Sequence, residues 1–352
     1  MDDLKAVLKD IIKEYGDKIA SVGVDKSDRE KFSLGSPGLD FCTYNSIPEG
    51  IFIEISGKEN SGKTVMAYLI ASDYSKKELR KPENERRHIL FVDCEGTADP
   101  EWAFTSTHYD MNATDIKTYY LTPTGQSAEQ IFDMVRKFVQ SGQIGLVIFD
   151  SLTAIAPQQT NEESFEKKDM GGLAKPLADF VKRCTGLFNK YRTTFIGING
   201  NIMNISGYGP QEDTPGGTYW KRSCSLRVKV KAGAYFDEEG NELKSTAENP
   251  AGYIMEMALL KSKFCRKDRR LGRCHLNYRK GIDLLWDTIE VAMHFGLIDC
   301  SVQGSFKLVD PTTGELILDE NGNKIYFSFS LLGGNTRTNA VISPVLERSR
   351  PP

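Results

Sequence analysis

Eight residues constrain this chain more than any others: Gly57-Lys58-Glu59-Asn60-Ser61-Gly62-Lys63-Thr64. They fit G-x-x-x-x-G-K-[ST]. Upstream, residues 51–56 read as an apolar strand; downstream, a helix starts near Lys63 and stops before Pro82. That strand–loop–helix setting is what a phosphate-cradling loop requires. The glycines let backbone N–H groups curl around phosphate oxygens, and the helix N-terminus adds partial positive charge. Lys63 offers a point charge to the β- and γ-phosphates, and Thr64 a hydroxyl to Mg²⁺. These eight residues and the adjoining Val65 are the candidate ATP-binding loop.

Two further strands end in acid. Leu146-Val147-Ile148-Phe149-Asp150-Ser151 places a carboxylate at the carboxyl edge of a sheet, where ligands bind in open α/β folds. Asp150 would hold Mg²⁺ through its water shell, with Thr64 as the other metal-side residue. The plain alternative is a helix-capping Asp at a strand end. Phe91-Val92-Asp93-Cys94-Glu95-Gly96 is the second case. Hydrolysis of ATP needs a group that orients and partly deprotonates water. Glu95 is the candidate, and Asp93 is its rival or a structural strand-end carboxylate.

The rest of the chain supports an α/β core. Strands are expected at 88–93, 144–149 and 193–199, and helices at 126–140 and 173–190, with Pro176 in a first turn. The central strands are continuous apolar runs, as when helices cover both faces of a parallel sheet. After Ser223 the segments turn β-rich, at 225–231 and 253–260. An amphipathic helix is expected over 281–299 and hairpins over 304–328, with Asn321-Gly322 as a turn signal. Residues 33–50, rich in Gly, Pro and Ser, read as a connecting segment. Residues 2–19 read as an amphipathic helix that needs something to pack on, its own domain or a neighbouring subunit. The last twenty residues read as a loose tail.

Length and composition set outer bounds. A chain of 352 residues with 39% hydrophobic and 26% charged residues can bury a large core. A net charge of −3 does not announce a nucleic-acid binder, so any DNA site must come from local basic clusters. Seven Cys without CxxC spacing suit reduced thiols in a cytoplasm. Cys265, Cys274 and His275 come nearest to a metal pattern, but no second ligand pair follows. No run of about 18 apolar residues exists to span a membrane. Met1-Asp2-Asp3-Leu4-Lys5 lacks an apolar signal core.

Residues 91–103, reading FVDCEGTADPEWA, resemble the segment of RecA-like recombinases that carries a catalytic glutamate and then Asp-Pro-x-aromatic. The resemblance continues in order through Ser33-Leu34-Gly35-Ser36-Pro37-Gly38-Leu39-Asp40 upstream and Asp150-Ser151-Leu152-Thr153-Ala154 downstream. Asp169-Met170-Gly171-Gly172-Leu173-Ala174, Ile198-Asn199, Pro215-Gly216-Gly217 and Lys261-Ser262-Lys263 follow. It covers about residues 33–295. Any one motif is shared by many ATPases; the ordered set is specific. The more compact resemblance is to tailed-phage versions, because a basic run and Gly281-Ile282-Asp283 follow the lysines.

The resemblance implies a RecA-type P-loop ATPase core over 33–280, with a largely parallel sheet flanked by helices. Residues 1–32 would be an N-terminal helix and linker for subunit packing, and 281–352 a small C-terminal α+β region. It implies a helical homo-oligomeric filament on single-stranded DNA that exchanges strands with a homologous duplex, using ATP and Mg²⁺. Single-strand-binding and loading proteins are the accessory partners such an activity would call for. By the resemblance Trp102 stacks on adenine and Asp99 lies near the adenine edge. Lys261 and Lys263 match the pair that reaches the γ-phosphate of ATP bound by the adjacent subunit, doing the work of an arginine finger.

Two loops would face DNA: roughly 158–172, ending in paired glycines, and roughly 200–218, with Gly200, Asn201, Gly207, Gly209, Gly216 and Gly217. Glycines permit close approach and backbone N–H donors make sequence-independent phosphate contacts. Lys175 and Arg183, eight apart on one helix, are candidate phosphate contacts. The run 261–280 carries nine basic residues and one acid, Asp268, and is either a solvated face or a duplex contact. In one place the chain departs from the family: Gly200 stands where RecA has the glutamine that senses the γ-phosphate, and Asn201 follows. Either Asn201 has taken over, or coupling of ATP to DNA is built differently. Two other readings share the ATPase motifs. A hexameric helicase would carry an arginine finger and a sizeable N-terminal domain; a non-DNA assembly switch would show no DNA-stimulated hydrolysis.

Overall fold

A computed structural model describes residues 2–15, 29–158, 172–203, 212–238, 240–302, 305–310, 312–319, 322 and 326–328. The helices are α1 (Asp2–Tyr15), α2 (Pro37–Thr43), α3 (Lys63–Leu79), α4 (Pro100–Thr107), α5 (Ala128–Gln140), α6 (Ala174–Tyr191), α7 (Gly217–Ser223) and α8 (Leu284–His294). The strands are β1 (Lys31–Phe32), β2 (Ile47–Pro48), β3 (Phe52–Gly57), β4 (His88–Asp93), β5 (Thr118–Leu121), β6 (Ile144–Asp150), β7 (Thr194–Gly200), β8 (Ile202–Met203) and β9 (Glu212–Asp213). They continue with β10 (Leu226–Phe236), β11 (Glu242–Leu243), β12 (Gly252–Ser262), β13 (Leu271–Asn277), β14 (Gly281–Ile282), β15 (Ile298–Val302), β16 (Ser305–Leu308) and β17 (Tyr326–Ser328).

The main sheet runs β14-β13-β12-β10-β3-β7-β6-β4-β5. From β10 to β5 every neighbouring pair is parallel. The β12–β14 wing is antiparallel. Alternate residues of each central strand enter opposite cores. Ile53, Ile55, Ile89, Phe91, Leu146, Ile148, Ile196 and Ile198 join the cluster that includes α3. Phe52, Leu90, Val92, Val147, Phe149 and Phe195 join the cluster that includes α5 and α6. Burial on both faces is why these strands read as unbroken apolar runs. The strand ends that carry Gly57, Asp93 and Asp150 are therefore fixed by two cores.

Two segments differ from expectation, and a third, 304–328, agrees with it. Residues 33–50 are not a plain connector: Ser36 caps α2, Pro37 starts it, and Leu39 and Cys42 are fully buried. A Ser-Pro start is a helix signal that the surrounding glycines obscured. The helix expected over 281–299 is α8 alone, because Gly281–Ile282 pairs with β13 and Ile298–Val302 pairs with β16. That helix is packed into the core: Asp287 is buried and accepts from Ser36 Oγ at 2.6 Å and from His275 N at 3.0 Å. The boundary expected at 281 thus falls inside a packed unit. In 304–328, β16 and β17 pair antiparallel; Asn321 of the expected turn lies outside the described residues.

His275 Nδ1 lies 3.0 Å from Asp287 Oδ1, and Cys274 is buried. The helix α1 leaves Leu4, Val7 and Ile11 open to solvent within the single chain. No described helix is long and apolar enough to cross a membrane.

Candidate nucleotide and DNA site

The loop 57–64 leaves the carboxyl end of β3 and runs into α3. Its shape depends on glycine. Gly62 sits at φ +92, and a Cβ there would meet Tyr253 Oη at 2.5 Å; a Cβ on Gly57 would meet Val230 O at 2.5 Å. Asn60 takes a left-handed φ of 56. Ser61 Oγ is buried without a partner among the described residues. An unpaired polar atom inside a strained cradle is a site built for a ligand that brings its own hydrogen-bonding groups.

Four residues expected to act together are brought together. Thr64 Oγ1 donates to Asp150 Oδ2 at 2.7 Å. Lys63 Nζ donates to Lys58 O at 2.7 Å, and its ammonium feels Asp150, Glu95 and Glu59. Burial lowers the Lys63 pKa despite those acids. Burial also raises the Asp150 carboxyl to about 6, with Glu95 and Asp93 adding to the rise and Thr64 opposing it. A carboxylate so disfavoured in isolation is one that a cation would stabilise. A hydroxyl and a carboxylate oxygen are the hard donors Mg²⁺ takes, so the residues present fit that ion.

Glu95 lies beyond β4, whose last residue Asp93 is level with Asp150. Ser151 Oγ donates to Glu95 Oε1, and Ser151 Oγ lies 2.7 Å from Thr153 Oγ1. Asp93 is engaged otherwise. It accepts from Gly96 N at 2.7 Å, Ala98 N at 2.9 Å, Glu95 N at 3.1 Å and the Tyr120 hydroxyl. Burial would raise its pKa, but these donors outweigh burial and lower it. Asp93 therefore folds the loop that presents Glu95, which is exposed.

A cavity of about 390 Å³ opens beside the loop, lined by Asn60 to Val65 and by Trp102, Tyr253, Leu276 and Tyr278. Three aromatic rings next to a phosphate loop make a slot for a flat base. Trp102 is placed there by α4. Asp99 does not line the cavity; it caps α4, accepting from Glu101 N at 2.9 Å and Trp102 N at 3.1 Å. Tyr253, Leu276 and Tyr278 were not foreseen. They arrive on and beside the antiparallel strands β12 and β13, and no local motif marks them.

Lys261 and Lys263 are not brought to their own loop. Leu226 is level with both Ser262 and Ile53, four residues before Gly57. That is about 13 Å down the strand, at the opposite edge of the sheet. Lys261 Nζ donates to the carbonyls of Lys221 and Arg222, both at 2.7 Å, and Lys263 Nζ to that of Ser223 at 3.5 Å. The pair thus caps the C-terminus of α7, where cations are favoured.

Both expected DNA loops leave the edge that holds the phosphate loop. β7 ends at Gly200, level with Gly57. Asn201 Nδ2 donates to Glu212 Oε2 at 3.1 Å. Residues 159–171 of the first loop, and 204–211 of the second with Gly207 and Gly209, lie outside the described residues. Gly216 and Gly217 have a packing reason: a Cβ on them would meet Leu177 Cδ2 at 2.8 Å and Ala174 Cβ at 2.9 Å. They set α7 against α6. Lys175 and Arg183 are exposed on α6.

A buried polar network holds the end of the second loop. Glu54, fully buried in a strand that reads as apolar, accepts from Asn199 Nδ2 and Trp220 Nε1 at 2.9 Å and pairs with Arg227. Asn199 Nδ2 also donates to Pro215 O at 3.0 Å. Glu54→Ala strips the acceptor from three donors and should cost about 3–5 kcal/mol of stability. Glu54→Gln keeps one acceptor and should cost less. Urea unfolding of the three proteins measures this; equal midpoints would show the network to be dispensable.

A family model described as the RecA N-terminal domain matches residues 2–282. The chain is similar to Protein RecA of Campylobacter hominis, 26% identical over 86% of this chain and 82% of that protein. It is 27% identical to Protein RecA of Aquifex aeolicus, over 84% and 79% of the two chains. To Protein RecA of Chlorobium chlorochromatii it is 29% identical, over 82% and 74%.

Proposed function

This chain belongs to the RecA family, and from that premise we propose that it is an ATP-dependent recombinase that forms filaments on single-stranded DNA and pairs it with a homologous duplex. It is a DNA-dependent ATPase. The observation that carries the reading is one sheet edge: the phosphate loop, Thr64 with Asp150, and Glu95 share it with Gly200, where the second DNA loop begins. ATP chemistry and DNA binding are thereby built on the same strand ends.

In this reading residues 57–65 bind the phosphates and Trp102 stacks on the base. Thr64 and Asp150 would hold Mg²⁺, which when bound neutralises phosphate charge. Lys63 draws charge toward the β- and γ-phosphates. Glu95 orients the attacking water through the oxygen that Ser151 does not use. Lys261 and Lys263 lie too far from their own loop to serve it, which supports action on a neighbour's γ-phosphate. The open apolar face of α1 supports the same assembly, since an amphipathic helix buries its stripe against something. Lys175, Arg183 and the backbone of the second loop would contact DNA phosphates without reading sequence. The basic run after Lys263 and the Gly281-Ile282-Asp283 that follows support the narrower placing among phage versions. The free thiols suit a cytoplasmic site of action.

The test is the rate of ATP hydrolysis with and without single-stranded DNA. Stimulation of roughly tenfold or more, weakening with salt and indifferent to base sequence, is expected. Equal rates would overturn the reading.

A further inference from the structure

We propose that Glu212 is a positioning residue that ties the phosphate loop to the second DNA loop, by holding Lys58. The inference rests on the reading above, that 57–64 binds ATP and the segment around 200–218 binds DNA. Lys58 is the second residue of the phosphate loop. Its Nζ lies 3.6 Å from Glu212 Oε1, and its side chain is 78% exposed. Glu212 opens β9, whose antiparallel partner β8 begins just after Gly200 and Asn201. One side chain thus spans the nucleotide site and the stem of the loop.

The two carboxylate oxygens have different tasks. Oε2 takes Lys229 Nζ and, at 3.1 Å, Asn201 Nδ2. Lys229 is level with Ser56, one residue before the phosphate loop. These two contacts fix β9 without help from Lys58. Oε1 is left facing the loop, and Lys229 with Lys58 keeps the carboxyl pKa below its ordinary value, so the group stays anionic. The longer, exposed contact to Lys58 is the weak member of the set. Weakness suits a contact that a ligand must change.

An incoming triphosphate acts on this pair in two ways. Its negative oxygens compete for the Lys58 ammonium and repel the Glu212 carboxylate. Nucleotide binding therefore loosens Glu212 from the phosphate loop while Lys229 still holds it. This places the response to ATP at the stem of the DNA-binding segment, in a chain where Gly200 offers no side chain to sense phosphate. By linkage, whatever ATP does to this pair for DNA, DNA does in return for ATP.

The experiment measures affinity for a fluorescent oligothymidylate with no nucleotide, with ADP and with a non-hydrolysable ATP analogue at saturation. Wild-type full chain, Glu212→Gln and Lys58→Met are compared. In the wild type the ATP analogue should tighten binding. In both variants that tightening should shrink by about fivefold, the upper worth of an exposed ion pair, chiefly because nucleotide-free affinity rises. A wild-type protein that responds to the analogue, with both variants keeping its full ratio, would overturn the link and leave the recombinase reading standing. Equal weakening in all three nucleotide states would make Glu212 a structural residue only, and would also overturn the link. A wild-type protein whose DNA affinity ignores nucleotide would overturn the reading itself, and the link with it.

Discussion

Glu95→Gln should bind ATP as tightly as the wild type and hydrolyse it on single-stranded DNA at least about a hundredfold more slowly, the usual contribution of a positioned base. The change is well suited to the site. Ser151 donates to Glu95 Oε1, and a glutamine carbonyl accepts the same bond. The side chain should stay in place while losing the anionic oxygen that orients water. Lys63, Thr64 and Asp150, which meet the phosphates in this reading, are untouched. The loss should thus appear in the rate at saturating ATP and not in ATP affinity. Because hydrolysis ends the ATP-bound state, filaments on DNA should also persist longer. Steady-state ATPase, nucleotide titration and dissociation from a labelled oligonucleotide measure the three effects. Hydrolysis at the wild-type rate would remove Glu95 from the role and return attention to Asp93, although its carboxylate is already committed to Gly96, Ala98 and Tyr120.

The parts of this molecule that were legible in its sequence share one property: their meaning is local. The loop 57–64 is contiguous, and its strand and helix flank it. Asp150 and Asp93, two residues before Glu95, end apolar runs because both faces of β6 and β4 are buried. What was not legible depends on which distant strands become neighbours. Tyr253, Leu276 and Tyr278 wall the cavity beside the loop only because β12 and β13 extend the sheet on the side of β3. Glu54 sits in a strand that reads as apolar; it is the centre of a buried network because Trp220, Asn199 and Arg227 converge on it. Asp99 was placed near the adenine edge by the family resemblance, whereas Asp-Pro at a helix start is first a cap. The sequence order did reveal that Gly200 breaks the family pattern. It could not reveal Glu212, which reaches Lys58 across more than a hundred and fifty residues.

Replacing Lys261 and Lys263 together by Ala should leave ATP binding by the single chain largely intact and reduce DNA-stimulated hydrolysis by about a thousandfold, the scale of a cation supplied in trans. Hydrolysis gathers negative charge on the γ-phosphoryl group and the leaving oxygen, and a preplaced cation stabilises it there. Within one chain these lysines are engaged with the last carbonyls of α7, at the sheet edge away from the loop. They can serve ATP only from a neighbour. Their loss also frees three carbonyls, at about 1 kcal/mol for each hydrogen bond, so the variant's melting temperature must be measured alongside its activity. Complementation separates the two causes. Lys63→Ala removes the phosphate contact in its own loop and leaves its lysines whole. Mixed with the double variant on single-stranded DNA, it should restore hydrolysis at each interface that joins an intact loop to intact lysines. Activity should peak near equal proportions. Two folded, individually inactive proteins that stay inactive at every ratio would mean that the lysines act only on α7, and that the cation for hydrolysis lies elsewhere in this chain.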